Sequence, residues 1–151
     1  MKYGIYYAYW EKEWNGDYKY YIDKISKLGF DILEISCGAF SDYYTKDQEL
    51  IDIGKYAKEK GVTLTAGYGP HFNESLSSSE PNTQKQAISF WKETLRKLKL
   101  MDIHIVGGAL YGYWPVDYSK PFDKKRDLEN SIKNMKIISQ YAEEYDIMMG
   151  M

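Results

Sequence analysis

Leu28-Gly29-Phe30-Asp31-Ile32 and Lys60-Gly61-Val62-Thr63-Leu64 each read as the end of a helix, a glycine stop and the start of a strand. Glycine suits that position because the residue closing a helix commonly turns left-handed. Leu100-Met101-Asp102-Ile103-His104 and Glu144-Tyr145-Asp146-Ile147 keep the helix-to-strand step without the glycine. A unit of roughly 30 to 45 residues that recurs in this way has the size of a βαβ repeat. Short turns from helix to strand imply a parallel sheet with right-handed crossovers.

Working outward, strands are predicted at Tyr3 to Tyr9, Asp31 to Ser36, Val62 to Ala66, Asp102 to Val106 and Ile147 to Met151. The first helix is predicted from Asp17, an N-cap, to Leu28, with Tyr18, Tyr21, Ile22, Ile25 and Leu28 at helical spacing. The second runs from Lys46 to Lys60 on Leu50, Ile53 and Ala57. The third follows Ser79-Glu80-Pro81, with Ser79 read as the cap and Pro81 as a first-turn residue. The fourth runs from Lys124 to Glu144, with Leu128, Ile132, Met135, Ser139 and Ala142 as its buried stripe. A long loop, Gly107 to Phe122, precedes it.

Two architectures compete. A five-stranded doubly wound parallel sheet fits 151 residues. A (β/α)8 TIM barrel needs about 200 residues or more. Against the first, no helix follows the fifth strand, and the βα loops are long and aromatic, as in barrel enzymes whose sites are built from those loops. A chain that stops inside a buried strand reads as truncated at strand five.

Composition narrows the function. Lys plus Arg number 20 against 22 Asp plus Glu, so the net charge is -2, with acids interleaved among the bases. That excludes a polybasic nucleic-acid binder. No apolar run reaches the ~18 residues of a membrane span, and Met1 to Trp10 does not read as a signal peptide. The one cysteine, Cys37, excludes an internal disulfide and suits a reducing cytoplasm. Tyr, Trp and Phe make up 17% of the chain, which fits equally a general abundance of Tyr in a chain rich in Lys and Ile and a ligand with flat apolar faces and polar edges, such as a sugar.

Ligands of parallel α/β folds bind at the carboxyl ends of the strands. Those ends carry Tyr6 to Trp10, Ser36-Cys37-Gly38, Gly67-Tyr68-Gly69-Pro70-His71 and Gly107-Gly108-Ala109-Leu110-Tyr111. Neither phosphate-binding glycine pattern is present. His71 and His104 stand apart from any metal-ligand spacing. Glu34 is a strand glutamate that can point into a barrel; an ion pair or hydrogen bond is its default, and a supporting role near a ligand stays open.

Gly4-Ile5-Tyr6-Tyr7-Ala8-Tyr9-Trp10, Lys27 to Ile35, Thr63 to Pro70 and above all Gly107-Gly108-Ala109-Leu110-Tyr111-Gly112-Tyr113-Trp114-Pro115-Val116-Asp117-Tyr118 closely resemble the ketose 3-epimerases, the D-tagatose 3-epimerase and D-psicose (D-allulose) 3-epimerase family. The resemblance runs along the whole chain. It implies the N-terminal half of a (β/α)8 TIM barrel, four βα units plus a fifth strand, and so overturns the length argument. It implies interconversion of free ketohexoses such as D-fructose and D-psicose. In that family a divalent metal, manganese or cobalt, held by Glu, Asp, His and Glu from strands five to eight, chelates O2 and O3 of the sugar, and two of the carboxylates exchange the C3 proton.

The first metal-binding Glu is expected just beyond Met151. The resemblance therefore places no catalytic residue and no metal ligand within these 151 residues, and predicts no cofactor and little or no turnover for the chain alone. It places Tyr6, Trp14, Gly67, Ala109 and Trp114 along the sugar pocket, with Tyr6 and Trp114 touching the ketose and Gly67 and Ala109 leaving it room. The expected partner is a ketohexose, together with a homo-oligomer or a complementary half-barrel to cover the open sheet. The alternatives are a non-catalytic carbohydrate-binding or assembly half-barrel, or another sugar isomerase of the same barrel superfamily.

Overall fold

The four helix-to-strand turns share one construction. Gly29 (φ 82°), Gly61 (φ 69°), Asp102 (φ 60°) and Asp146 (φ 56°) are all left-handed. The amide after each donates back to the carbonyl five residues earlier: Phe30 to Ile25 at 3.0 Å, Val62 to Ala57 at 2.9 Å, Ile103 to Leu98 at 3.0 Å, and Ile147 to Ala142 at 2.8 Å. These are Schellman closures. The repeat read from two glycines thus extends to two aspartates, which tolerate this backbone better than most residues do.

The computed structural model describes residues 1–14, 16–119 and 122–151, apart from the side chain of residue 42. Its strands are β1 (Gly4–Tyr6), β2 (Ile32–Ser36), β3 (Thr63–Tyr68), β4 (Ile105–Gly108) and β5 (Met148–Gly150). Its helices are α1 (Tyr18–Leu28), α2 (Ala39–Asp42), α3 (Asp47–Glu59), α4 (Pro81–Leu100) and α5 (Lys124–Glu144). The strands pair in parallel in the order β1-β2-β3-β4-β5. A doubly wound sheet reverses its strand order part-way. This one never does, so it is the barrel type of sheet, and the doubly wound alternative falls.

Alternation sorts the strand side chains. Leu33, Ile35, Leu64, Ala66 and Val106 are buried under the helices. They pack with Ile22, Ile25, Leu50, Ile53, Trp91, Leu95, Leu98 and Ile138 in one continuous core. The opposite face carries Tyr6, Glu34, Thr65, Ile105 and Met148, and Met148 there is 70% exposed. Among the described residues, β1 pairs with β2 alone and β5 with β4 alone, so each leaves a free edge.

Several expectations need correction. Strand one ends at Tyr6, and Tyr7–Tyr9 forms a 3-10 turn because Tyr7 folds down against Tyr18 and Tyr21. β4 begins at Ile105, so His104 precedes the strand. Ser79 does not cap α4: Glu80 occupies that position without a side-chain cap, and Ser79 instead meets the Asn130 amide. Asp17 does cap α1, accepting from the amides of Lys19 and Tyr20. Of the α1 residues at helical spacing, Leu28 is the one that the structure leaves exposed. The buried stripe of α5 is Ser131, Asn134, Ile138 and Ala142. The more apolar Leu128 and Ile132 face outward, at 59% and 49% exposure.

At the lower rim His104 joins two of the turns. Its Nδ1 lies 2.8 Å from the Asp146 carbonyl oxygen and its Nε2 lies 3.1 Å from Asp102 Oδ1. The Asp146 carbonyl and the Asp102 carboxylate raise the imidazole pKa above its ordinary 6.5. A raised folded-state value stabilises fully below the unfolded value and fades as the pH climbs through the folded one. Melting temperature is therefore expected to fall between pH 6 and pH 8 (about the titration range of histidine). His104→Gln should flatten that slope, and salt should weaken the effect because the group is largely exposed.

Candidate functional site

Strand register builds the site. Tyr6, Glu34 and Thr65 stand side by side across β1, β2 and β3. The next row up is Ser36, Gly67, Gly107 and Gly150 across β2 to β5. A side chain at Gly107 would meet only the Gly150 carbonyl, at 3.8 Å, and one at Gly150 only the Val106 carbonyl, at 3.9 Å. The upper row is thus a shallow vacancy at the carboxyl ends of the strands. Its floor is the row of Tyr6, Glu34 and Thr65.

Aromatic side chains wall the two ends. Tyr6 and Trp14 lie with ring centroids 6.2 Å apart, beside β1. Burial pushes the Tyr6 phenol pKa up, while the Ser36 hydroxyl within reach pulls it down. Beneath, Tyr18 donates to the Ser36 carbonyl at 3.0 Å and stacks on Tyr44, which fixes the β1–α1 loop to the rim of β2. At the other end, the Trp114 amide donates to the Pro70 carbonyl at 2.7 Å. A Cβ on Gly69 would sit 2.9 Å from Trp114 Cβ, so this glycine makes room for the tryptophan. Tyr68, stacked on Phe90, donates to Glu74 at 2.6 Å and holds the β3 loop from below.

The five residues singled out from sequence do not form one continuous patch. Tyr6 and Trp14 meet, and Trp14 is 66% exposed. Ala109 and Trp114 lie together along a separate groove beside α5, with Trp114 60% exposed. Gly67 lies between them. The space in front of it is filled, because a Cβ there would come within 2.7 Å of Glu34 Oε1. Cys37 is fully buried, and burial raises its thiol pKa, so it packs as a small apolar residue.

The groove beside α5 encloses about 1350 Å³ and is lined by Leu128, Ile132, Met135, Trp114, Phe122 and Met149, among others. That exceeds the roughly 300–1,000 Å³ of small-molecule sites. It continues the free edge of β5 and has the character of a covering surface.

Residues 22–151 match the family described as xylose isomerase-like TIM barrel. The chain belongs to that family. Within it, the chain is 55% identical over 151 residues to a D-psicose 3-epimerase of Enterocloster bolteae, covering all of this chain and 50% of that protein. It is 48% identical over 143 residues to a D-psicose 3-epimerase of Ruminiclostridium cellulolyticum, covering 95% of this chain and 48% of that one. A crystal structure of D-psicose 3-epimerase with D-tagatose, from Clostridium cellulolyticum H10, superposes with a TM-score of 0.95 at 46% identity, over 99% of this chain and 51% of that one. The chain spans about half the length of these relatives, and its sheet is the N-terminal half of a TIM barrel. No helix among the described residues is long and apolar enough to cross a membrane.

Proposed function

We propose that the chain is one wall of a ketose 3-epimerase, acting on free ketohexoses such as D-fructose and D-psicose once a complementary half-barrel completes it. The observation that carries this reading is the 55% identity along the entire chain to a protein named D-psicose 3-epimerase. The vacancy above the sheet, bordered by Tyr6 and Trp14 beside β1, supports it. Aromatic rings of this kind present an apolar face to sugar C–H groups and a polar tip to hydroxyls. Tyr6 would orient the ketose chain through its phenol, and Gly107 and Gly150 would leave it volume.

The resemblance brings a divalent metal, manganese or cobalt, to the complete enzyme. Among the described residues no three His, Cys, Asp or Glu side chains converge to hold such an ion. This half alone does not fit the metal. Residues 1–151 would then act as one half-barrel domain in a reducing compartment such as the cytoplasm, in keeping with the buried free Cys37.

The test is turnover. The pure chain with manganese chloride and D-fructose is expected to yield no D-psicose. Co-expression with the remaining half of the Enterocloster bolteae relative should restore it. D-psicose made by the chain alone would refute the division of labour, and a well-assembled but inert mixture would refute the activity.

A further inference from the structure

We propose that Glu34 is a specificity-determining residue of the sugar pocket, its carboxylate accepting a hydroxyl of the bound polyol at the place where Gly67 would otherwise leave a gap. The proposal deepens the ketose-epimerase reading and rests on it.

Glu34 lies at the centre of the floor row, between Tyr6 and Thr65. Its Oε1 rises over the backbone of Gly67, within 2.7 Å of where a Cβ would stand, and so reaches into the vacant upper row. The carboxyl is half-buried, and burial raises its pKa, with no hydrogen bond from the described residues pulling it back. An ionised carboxylate only accepts hydrogen bonds, and leaving it unpaired in a covered site is costly. Tyr6, Ser36, Thr65, Ile105 and Met148 around it carry no positive charge to pair with it.

A neutral polyol supplies what is missing, since hydroxyl-to-carboxylate hydrogen bonds are short and strong. The same negative charge repels a phosphate ester. The pocket is thereby matched to free sugars over phosphorylated ones. An analogue lacking the matching hydroxyl would leave the carboxylate unpaired and be rejected. Gly67 serves this arrangement indirectly, because any side chain there would push the carboxylate aside.

The test follows the Glu34 carboxyl carbon by NMR in the folded chain labelled with 13C at glutamate. Saturating D-fructose is expected to lower its titration midpoint by roughly half a pH unit or more, because donated hydroxyls favour the charged form. The isosteric Glu34→Gln should bind D-fructose about tenfold more weakly. A midpoint indifferent to D-fructose, or one moved by manganese chloride alone, overturns the proposal, as does full affinity in Glu34→Gln. If the Glu34 response is present while the completed barrel makes no D-psicose, the epimerase reading fails and the Glu34 contact stands.

Discussion

Gly108→Ala is expected to destabilise the chain by about 3 kcal/mol, a large share of the roughly 5–15 kcal/mol that holds a typical domain folded. Gly108 ends β4 with φ 120°, a backbone that side chains rarely adopt. A Cβ there would fall 2.3 Å from the Tyr68 carbonyl oxygen and 3.1 Å from the Tyr68 carbonyl carbon. Both obstacles are backbone, pinned by the β3–β4 pairing of Tyr68 with Gly108, so neither can swing aside. Urea unfolding monitored by circular dichroism measures the loss. Gly107→Ala is the matched control. Its Cβ would meet only one carbonyl at 3.8 Å, so the fold should tolerate it. That methyl would still fill part of the cup, so the completed barrel should lose sugar affinity. Equal stability losses at positions 107 and 108 would show that the upper row is not the vacancy described.

Ile132→Glu is expected to have the opposite profile: little change in stability and loss of assembly. Ile132 is 49% exposed on the outer face of α5, so a charge there costs the isolated chain within about 0.5 kcal/mol. In the assembly the same glutamate would be buried against an apolar partner without a counter-ion, a change that costs several kcal/mol. The isolated wild-type chain should self-associate through its free β1 and β5 edges and this groove. Size-exclusion chromatography should therefore show a dimer or larger species for the wild type, smaller species for Ile132→Glu, and no complex of the variant with the complementary half. A wild-type chain that runs as a stable monomer would contradict the interface.

The contrast between α5 and the turns shows what was legible in the sequence. The glycine stops at Gly29 and Gly61 located the βα repeat because a left-handed residue is a local requirement, and Asp102 and Asp146 meet the same requirement without announcing it. Parallel pairing was legible because short turns leave the strands little choice, but strand order was not: a doubly wound sheet and a barrel share those turns, and the family resemblance pointed to the barrel order that the sheet shows. The face of α5 was not. Leu128, Ile132 and Met135 form the more apolar stripe, yet Ser131 and Asn134 are the residues buried here, hydrogen-bonded to the carbonyls of Tyr111 and Leu76. Hydrophobic periodicity marks every face destined for burial, including one left open by this half of the barrel.

At the site, Tyr6, Trp14 and Trp114 came from the family resemblance; the strand-end rule by itself located only the loops that carry them. At Gly67 the near neighbour is the Glu34 carboxylate. The carboxylate in front of it belongs to another strand, and only the register of β2 against β3 brings the two together. Alternation along β2 was the available signal, because it put Glu34 on the face away from Leu33 and Ile35.

The central claim is that this chain is one wall of a barrel, open along β5 and α5. Met148 donates to the His104 carbonyl at 2.8 Å, so the N–H of Met149 points to the open edge, and the measurement that tests the claim most directly is its hydrogen exchange in the chain diluted to a monomer and mixed with the complementary half. Fast exchange alone and strong protection in a one-to-one complex are expected. Slow exchange in the monomeric chain, unchanged by the added half, would contradict the account.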